Sequence, residues 1–239
     1  MDLVARTANY VQEKFYGESS GHDWWHIHRV YETSMQIVAG EAIMSIKEDV
    51  VALAALLHDI ADWKFNGGND EAGPRAAAEW LGSQNTDVSV IEDVCTIIRE
   101  LSFKSAGVRT PMTSLEGEIV QDADRLDAIG AVGIARAFAY GGYKRRALFD
   151  PNVSPAVHQT ADQYKTQQSP TINHFYEKLL LLHDRMNTET GKQLAEQRHL
   201  FMLSFLNRFF EESHEMDSRH AHLLQQIIKN GRNAGEQGD

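Results

Sequence analysis

Residues 50–64 read VVALAALLHDIADWK, and the fold turns on this stretch. Every side chain from Val50 to Leu57 is apolar. A helix that is hydrophobic all round belongs inside a protein rather than on its surface. The run stops on His58-Asp59, with Asp62 four residues after His58 and Lys64 beyond it. An imidazole and two carboxylates at the end of a buried helix are expensive unless something compensates them. A bound metal ion would do so.

The rest of the composition sets limits around that reading. The 239 residues make one large domain, or a domain with an appendage, long enough for a full core. Hydrophobic content of 42% with 24% charged residues is ordinary for a globular chain. A formal charge of −11 argues against a nucleic-acid polymer or an anionic membrane as partner. An anionic substrate would then need a local positive centre, such as a metal with a few Lys or Arg. The single cysteine, Cys95, rules out an internal disulfide and fits a reducing compartment. No apolar run reaches membrane-spanning length, and MDLVARTANY lacks a signal-peptide core. The expectation is a soluble, cytoplasmic protein.

Working outward along the chain, residues 2–16 carry Leu3, Val4, Val11 and Phe15 near helical spacing. GESSG at 17–21 is a linker. His22-Asp23-Trp24-Trp25-His26 then leads into a second helix, whose Ile27, Val30, Tyr31, Ile37 and Val38 repeat with period 3.6. NGGND at 66–70 is a loop, and EAGPRAAAEWL a short helix. Residues 87–101 give one clean stripe, Val90, Ile91, Val94, Ile97, Ile98 and Leu101, behind Asp87 as cap. A turn-rich segment at 105–114 precedes a long helix expected from Glu116 through GAVGIARAFAY to the Gly141-Gly142 break. Residues 143–169 read as a long loop or lid, followed by helices at about 171–185 and 189–214. No strand-period segment of any length appears. The expected fold is all-α: one unit over 1–215, with a core at about 22–140, C-terminal helices at about 170–214, and a polar, partly disordered tail over 216–239.

His-Asp as a dipeptide is weak evidence, because it occurs at 22–23, 58–59 and 183–184. A mononuclear site for a divalent ion wants roughly two imidazoles and two carboxylates, leaving room for water and substrate. His58-Asp59 supplies one of each. His26 supplies the other imidazole, and DADRLDA at 122–128 the second carboxylate. Three helices of one bundle would then meet at the ion. The rival set is His174, His183, Asp184 and Asp217. There the doublet is followed at once by Arg185, no acid sits four residues after the His, and Asp217 lies in a polar stretch. His183-Asp184 reads as a solvated helix end.

His26, His58-Asp59 and Asp124 resemble the His…His-Asp…Asp signature of the HD-domain superfamily of metal-dependent phosphohydrolases. The flanking words HDWWHIHRV (22–30), ALLHDIADWK (55–64) and EGEIVQDADRLDAIGAVGIARAFAYGG (116–142) are similar to its small bacterial branch, in which some members are nucleotide pyrophosphohydrolases. The likeness spans about residues 20–215. It implies an HD-domain helical bundle with additional C-terminal helices and one divalent ion (Mn, Mg, Fe, Ni or Co) held by His26, His58, Asp59 and Asp124. Asp122, two residues before Asp124, would face another side of the helix and hold an imidazole N–H from outside.

Such an ion acidifies bound water and polarises a phosphoryl oxygen. Asp59 and Asp62 are the catalytic carboxylates on this reading, with Asp62, one turn from His58, placed to accept the water's proton; the competing role for Asp62 is a helix-end acid bonding backbone or Lys64. Lys64, Arg29 and Arg125 are candidates to neutralise phosphate oxygens, although for the two arginines an ion pair with Asp122 or Asp127 is the stronger reading. Trp24, Trp25, Trp63 and Phe65 flank the ligand words and could stack on a base; ordinary core packing is the stronger reading.

Between Asp59 and Asp122 there is no histidine, whereas the dinuclear members of the superfamily add histidines in that interval, so the resemblance implies a mononuclear site. Many near relatives carry His before the Ser-Phe pair, and here Leu101 precedes Ser102-Phe103. The acid pair that alarmone hydrolases place after their doublet is present only as Asp62. The reading is therefore a hydrolase acting on a phosphate ester or anhydride of a small phosphorylated molecule, a nucleotide or deoxynucleotide above all, as a monomer or homodimer. The alternative is a catalytically weak nucleotide- or metal-binding regulator on the same fold.

Overall fold

The computed structural model describes residues 2–17, 23–41, 43, 45–61, 71–101, 110–156 and 169–235, with side chains described to residue 230. Every regular element among them is helical, as the period-3.6 patterning predicts. Helix α1 is Leu3–Lys14, α2 Trp24–Glu41, α3 Glu48–Leu57, α4 Ala72–Ser83, α5 Val88–Glu100, α6 Leu115–Asp127 and α7 Gly130–Tyr143. Then follow α8 (Thr171–Glu177), a 3-10 segment (Leu179–Arg185), α9 (Glu189–Glu212) and α10 (Arg219–Gly235).

α3 lies at the centre because none of its faces can be left wet. Val50 to Leu57 are all buried, and the helix packs against α1, α2, α5 and α6. Leu53, Leu56 and Leu57 are fully buried, each contributing about 1.5–3 kcal/mol through removal from water. The surrounding helices turn single stripes inward: Ile27, Val30 and Ile37 on α2, Val94, Ile97 and Ile98 on α5, Ile119, Ala123 and Leu126 on α6.

Helix starts follow local chemistry. Asp2 accepts a hydrogen bond from the amide of Ala5 at 2.7 Å, Ser114 from Gly117 at 3.1 Å and Thr188 from Gly191 at 3.0 Å, each satisfying an amide that the first turn leaves without a partner. Asp87 stands at the N-cap of α5 as expected, but makes no side-chain capping bond.

Parts of the fold differ from the sequence-based expectation. The long helix expected from Glu116 to Tyr140 is two helices. The amides of Ala128 and Ile129 close tight turns onto Arg125 and Leu126, and Gly130 takes φ +74°, a left-handed conformation that favours glycine. The turn redirects the chain so that α7 runs back towards α6 and α9.

The polar tail expected over 216–239 is largely α10. Ala221 and Leu224 are buried, as is His220, and α10 packs on α9. The Tyr176 hydroxyl donates to the carbonyl of His220 at 2.9 Å. Apolar positions one turn apart suffice for docking, although polar neighbours dilute them in any composition window.

Part of the segment read as a long loop or lid is strapped down. The amides of Thr171 and Ile172 donate to the carbonyls of Ala147 and Leu148 at 2.9 and 3.1 Å, and Asn173 Nδ2 donates to the Val153 carbonyl at 2.8 Å. Residues 157–168 lie outside the described residues.

Candidate metal centre

Two helix ends and one helix face meet at the candidate centre. His26 sits in the first turn of α2, where its amide donates to Asp23 Oδ1 at 2.9 Å. His58 is the residue on which α3 ends, with Asp59 next in the turn. Asp124 comes from α6. One ligand atom each of His26, His58 and Asp124 lies within 4.8 Å of the others. His26 Nε2 is 3.3 Å from His58 Nε2 and 3.6 Å from Asp124 Oδ1. Asp59 Oδ2 closes the group, 3.3 Å from His26 Nε2 and 3.6 Å from His58 Nε2.

The donor set fits a divalent cation. His26 Nδ1 faces Asp127 Oδ2 at 2.7 Å and His58 Nδ1 faces the carbonyl of Ala55 at 2.7 Å. Both partners are acceptors, so each ring carries hydrogen on Nδ1. With Nδ1–H committed in this way, each ring in its neutral form presents the Nε2 lone pair towards the other ring and towards two carboxylates. Such a set of apposed acceptors is stable only around positive charge. Burial works to lower the His26 pKa, but Asp127 and Asp59 outweigh it and push it up to about 9. The same field that retains a proton there will draw a divalent ion. Access differs around the centre: the His26 side chain is 1% exposed and that of Asp124 40%, so the site opens on the Asp124 side.

Asp122 does not hold an imidazole, contrary to expectation. It is fully buried and accepts from the amides of Asn187 and Thr188 at 2.9 and 2.8 Å and from the Thr188 hydroxyl at 2.8 Å. It thus anchors the start of α9. Burial raises its pKa, and the two amides and the hydroxyl work against that rise.

The imidazole partner is Asp127. Residues three apart share a helix face, so Asp124 and Asp127 point together where Asp122 cannot; that spacing was the available sequence signal. Asp127 also takes Arg29 Nε at 2.6 Å and Arg29 Nη2 at 3.1 Å, and Arg136 Nη1 at 2.6 Å. Burial works to raise the Asp127 pKa, but the His26 and Arg29 hydrogen bonds hold it well below the usual carboxylate range. Arg136, on α7, was not singled out by any motif.

The remaining candidates are placed as follows. Arg29 gives Nε and Nη2 to Asp127, while Nη1 makes no hydrogen bond among the described residues. Arg125 donates to the carbonyl of Arg185 and, at 3.1 Å, to the Thr110 hydroxyl. Trp24 stacks on His28 with centroids 5.5 Å apart, and Trp25 is 60% exposed. Asp62, Trp63, Lys64 and Phe65 lie outside the described residues. The rival doublet is differently engaged: His183 is held between Asp184 and Glu196, each at 2.7 Å. Among the described residues, no second trio of His, Cys, Asp or Glu converges as His26, His58 and Asp124 do.

The HD domain family model matches residues 24–129. YpgQ of Bacillus subtilis, an uncharacterised protein, is 39% identical over 217 residues, which cover 87% of this chain and 93% of YpgQ. The crystal structure of an HD-superfamily hydrolase from Bacillus thuringiensis superposes with a TM-score of 0.68 at 38% identity, covering 88% of this chain and 96% of that one. YpgQ crystallised in complex with ADP superposes with a TM-score of 0.67 at 34% identity, covering 87% and 97%. The chain spans nearly the whole of these relatives, and it belongs to the HD-domain family.

Proposed function

We propose that this chain is a metal-dependent phosphohydrolase that cleaves a phosphate ester or anhydride of a nucleotide or deoxynucleotide. The observation that carries this reading is the convergence of two imidazole Nε2 atoms with Asp124 and Asp59. Held by His26, His58, Asp59 and Asp124, a divalent ion would supply Lewis-acid chemistry, lowering the pKa of a bound water and drawing charge from a phosphoryl oxygen. The chain's own groups supply the rest. Asp62 takes the proton of the attacking water and orients it. The uncommitted Nη1 of Arg29, together with Lys64, offsets phosphate charge. Arg125, which gives one donor each to the Arg185 carbonyl and the Thr110 hydroxyl, adds positive charge beside Asp124.

Two observations support a small nucleotide over larger anions. The formal charge of −11 repels a nucleic-acid polymer or an anionic membrane surface. The relative YpgQ has been crystallised with ADP. Among the described residues no helix is long and apolar enough to cross a membrane.

Product identity tests the proposal. Metal-replete protein is incubated with a nucleotide and deoxynucleotide panel, with His58→Ala as control, and the products are separated. Monophosphate plus pyrophosphate identifies attack at the α-phosphorus; nucleoside plus phosphate identifies a phosphomonoesterase. Metal bound with no turnover on any member of the panel would contradict the proposal and favour a regulatory binding protein.

A further inference from the structure

Asp127 is a carboxylate with only 5% of its side chain exposed, and it is bonded far beyond what neutralising it requires. Its Oδ2 meets His26 Nδ1 at 2.7 Å, Arg136 Nη1 at 2.6 Å and Arg29 Nη2 at 3.1 Å, while Oδ1 meets Arg29 Nε at 2.6 Å. Two guanidiniums converge on one buried carboxylate whose remaining contact is a ligand imidazole. A single arginine would balance the charge. Two, from different helices, fix the position of both oxygens.

The parts are arranged to act on His26. An imidazole can present either nitrogen, and the partner of one decides what the other does. Asp127 accepts the Nδ1 hydrogen and thereby turns the Nε2 lone pair towards Asp59, Asp124 and His58. Held by the imidazole alone, the carboxylate could rotate and carry the ring with it. Arg29 follows His26 by three residues on the same face of α2, so α2 provides both the ligand and one half of the clamp. The other half comes from α7, which the left-handed turn at Gly130 brings back beside Asp127. Glycine is favoured at that turn by its φ of +74°, and α9 packs tightly there, since a Cβ on Gly130 would lie 3.0 Å from Cβ and Cγ of Arg198.

We propose that Asp127, clamped by Arg29 and Arg136, is the positioning residue that fixes His26 with Nε2 towards the metal, so that the seating of α7 sets the affinity of the centre. This inference rests on the metal-site reading above.

The test is a Mn2+ titration of wild type, Asp127→Ala, Asp127→Asn and Arg136→Gln, with thermal denaturation of each metal-free protein alongside. Asp127→Ala is expected to weaken Mn2+ binding by roughly 10–100-fold. Asp127→Asn should recover part of that loss, because an amide oxygen still accepts from Nδ1. Arg136→Gln should weaken binding by a smaller factor while leaving all four ligands in place. Folded Asp127→Ala binding Mn2+ as tightly as wild type, whatever its melting temperature, would overturn the inference and leave Asp127 a structural ion-pair residue. If Asp127→Ala fails to fold, Arg136→Gln decides: wild-type affinity there overturns the clamp. Wild type that binds no Mn2+ sinks the metal-site reading itself, a different failure from equal binding by wild type and variants.

Discussion

Asp122 and Asp124 stand two residues apart on α6 and do opposite work. Asp122 points into the protein, onto the amides of Asn187 and Thr188, while Asp124 points out to within 3.6 Å of His26 Nε2. A helix rotates about 200° between such positions, so one carboxylate is available to the core and the other to the site.

The pair should therefore separate stability from metal binding. Asp122→Ala leaves two buried amides and a hydroxyl without their acceptor and should cost about 2–3 kcal/mol in urea unfolding, with metal content unchanged. Asp124→Ala removes a 40% exposed side chain and should shift metal-free stability by no more than about 0.5 kcal/mol, while metal content falls. The reverse pattern would exchange their roles.

Gly191 has a related prediction. A Cβ there would lie 2.5 Å from Asp122 Oδ2 and 2.6 Å from Thr188 Oγ1, inside the bond network that starts α9. Gly191→Ala should destabilise by about 1–3 kcal/mol, the usual cost of forcing extra volume into a packed site. Denaturation midpoints measure it. An unchanged midpoint would mean that the cap can open at little cost.

Stability against pH has two limbs with opposite signs. In the metal-free protein His26 titrates at about 9 rather than 6.5. The folded state keeps a proton that the unfolded state has released, so this contribution is fully present below about pH 6.5 and is lost as pH rises through about 9. Burial of His220 lowers its pKa; the unfolded state then takes up a proton that the folded state refuses, and stability is lost as pH falls below about 6.5. Denaturation in chelator across this range should show both limbs. His26→Gln should flatten the alkaline limb alone.

Substitution tests the role of Asp62 as general base. Asp62→Asn should reduce turnover by roughly 10²–10⁴-fold, the usual worth of a positioned general base, with metal content retained. Full activity in this variant would remove Asp62 from the mechanism.

Much of this was legible in the amino-acid sequence because the decisive features are local. The apolar run from Val50 to Leu57 determines which helix is central, and its abrupt end on His58-Asp59 marks where charge enters the core. The period-3.6 stripes of α2 and α5 are equally local. What was hidden depends on tertiary placement. Gly130 inside a helical pattern gives no sign that the chain reverses there. The identity of the acid beside His26 depends on how α6 is rotated against α2, and the i,i+3 spacing of Asp124 and Asp127 was the clue to it. Arg136 is a lone charge on a small-residue helix, and its partner is known only once α7 has folded back. The docking of α10 escaped because His220, Ala221 and Leu224 are scattered among polar residues.

The central claim is that His26, His58, Asp59 and Asp124 hold a divalent ion, and metal stoichiometry tests it most directly. Wild type and His58→Ala are loaded with Mn2+, dialysed, and their metal content measured against protein concentration, with circular dichroism confirming that both are folded. A single ion per wild-type chain and essentially none in His58→Ala are expected. Wild type that retains no ion, or His58→Ala that retains as much as wild type, would contradict the claim.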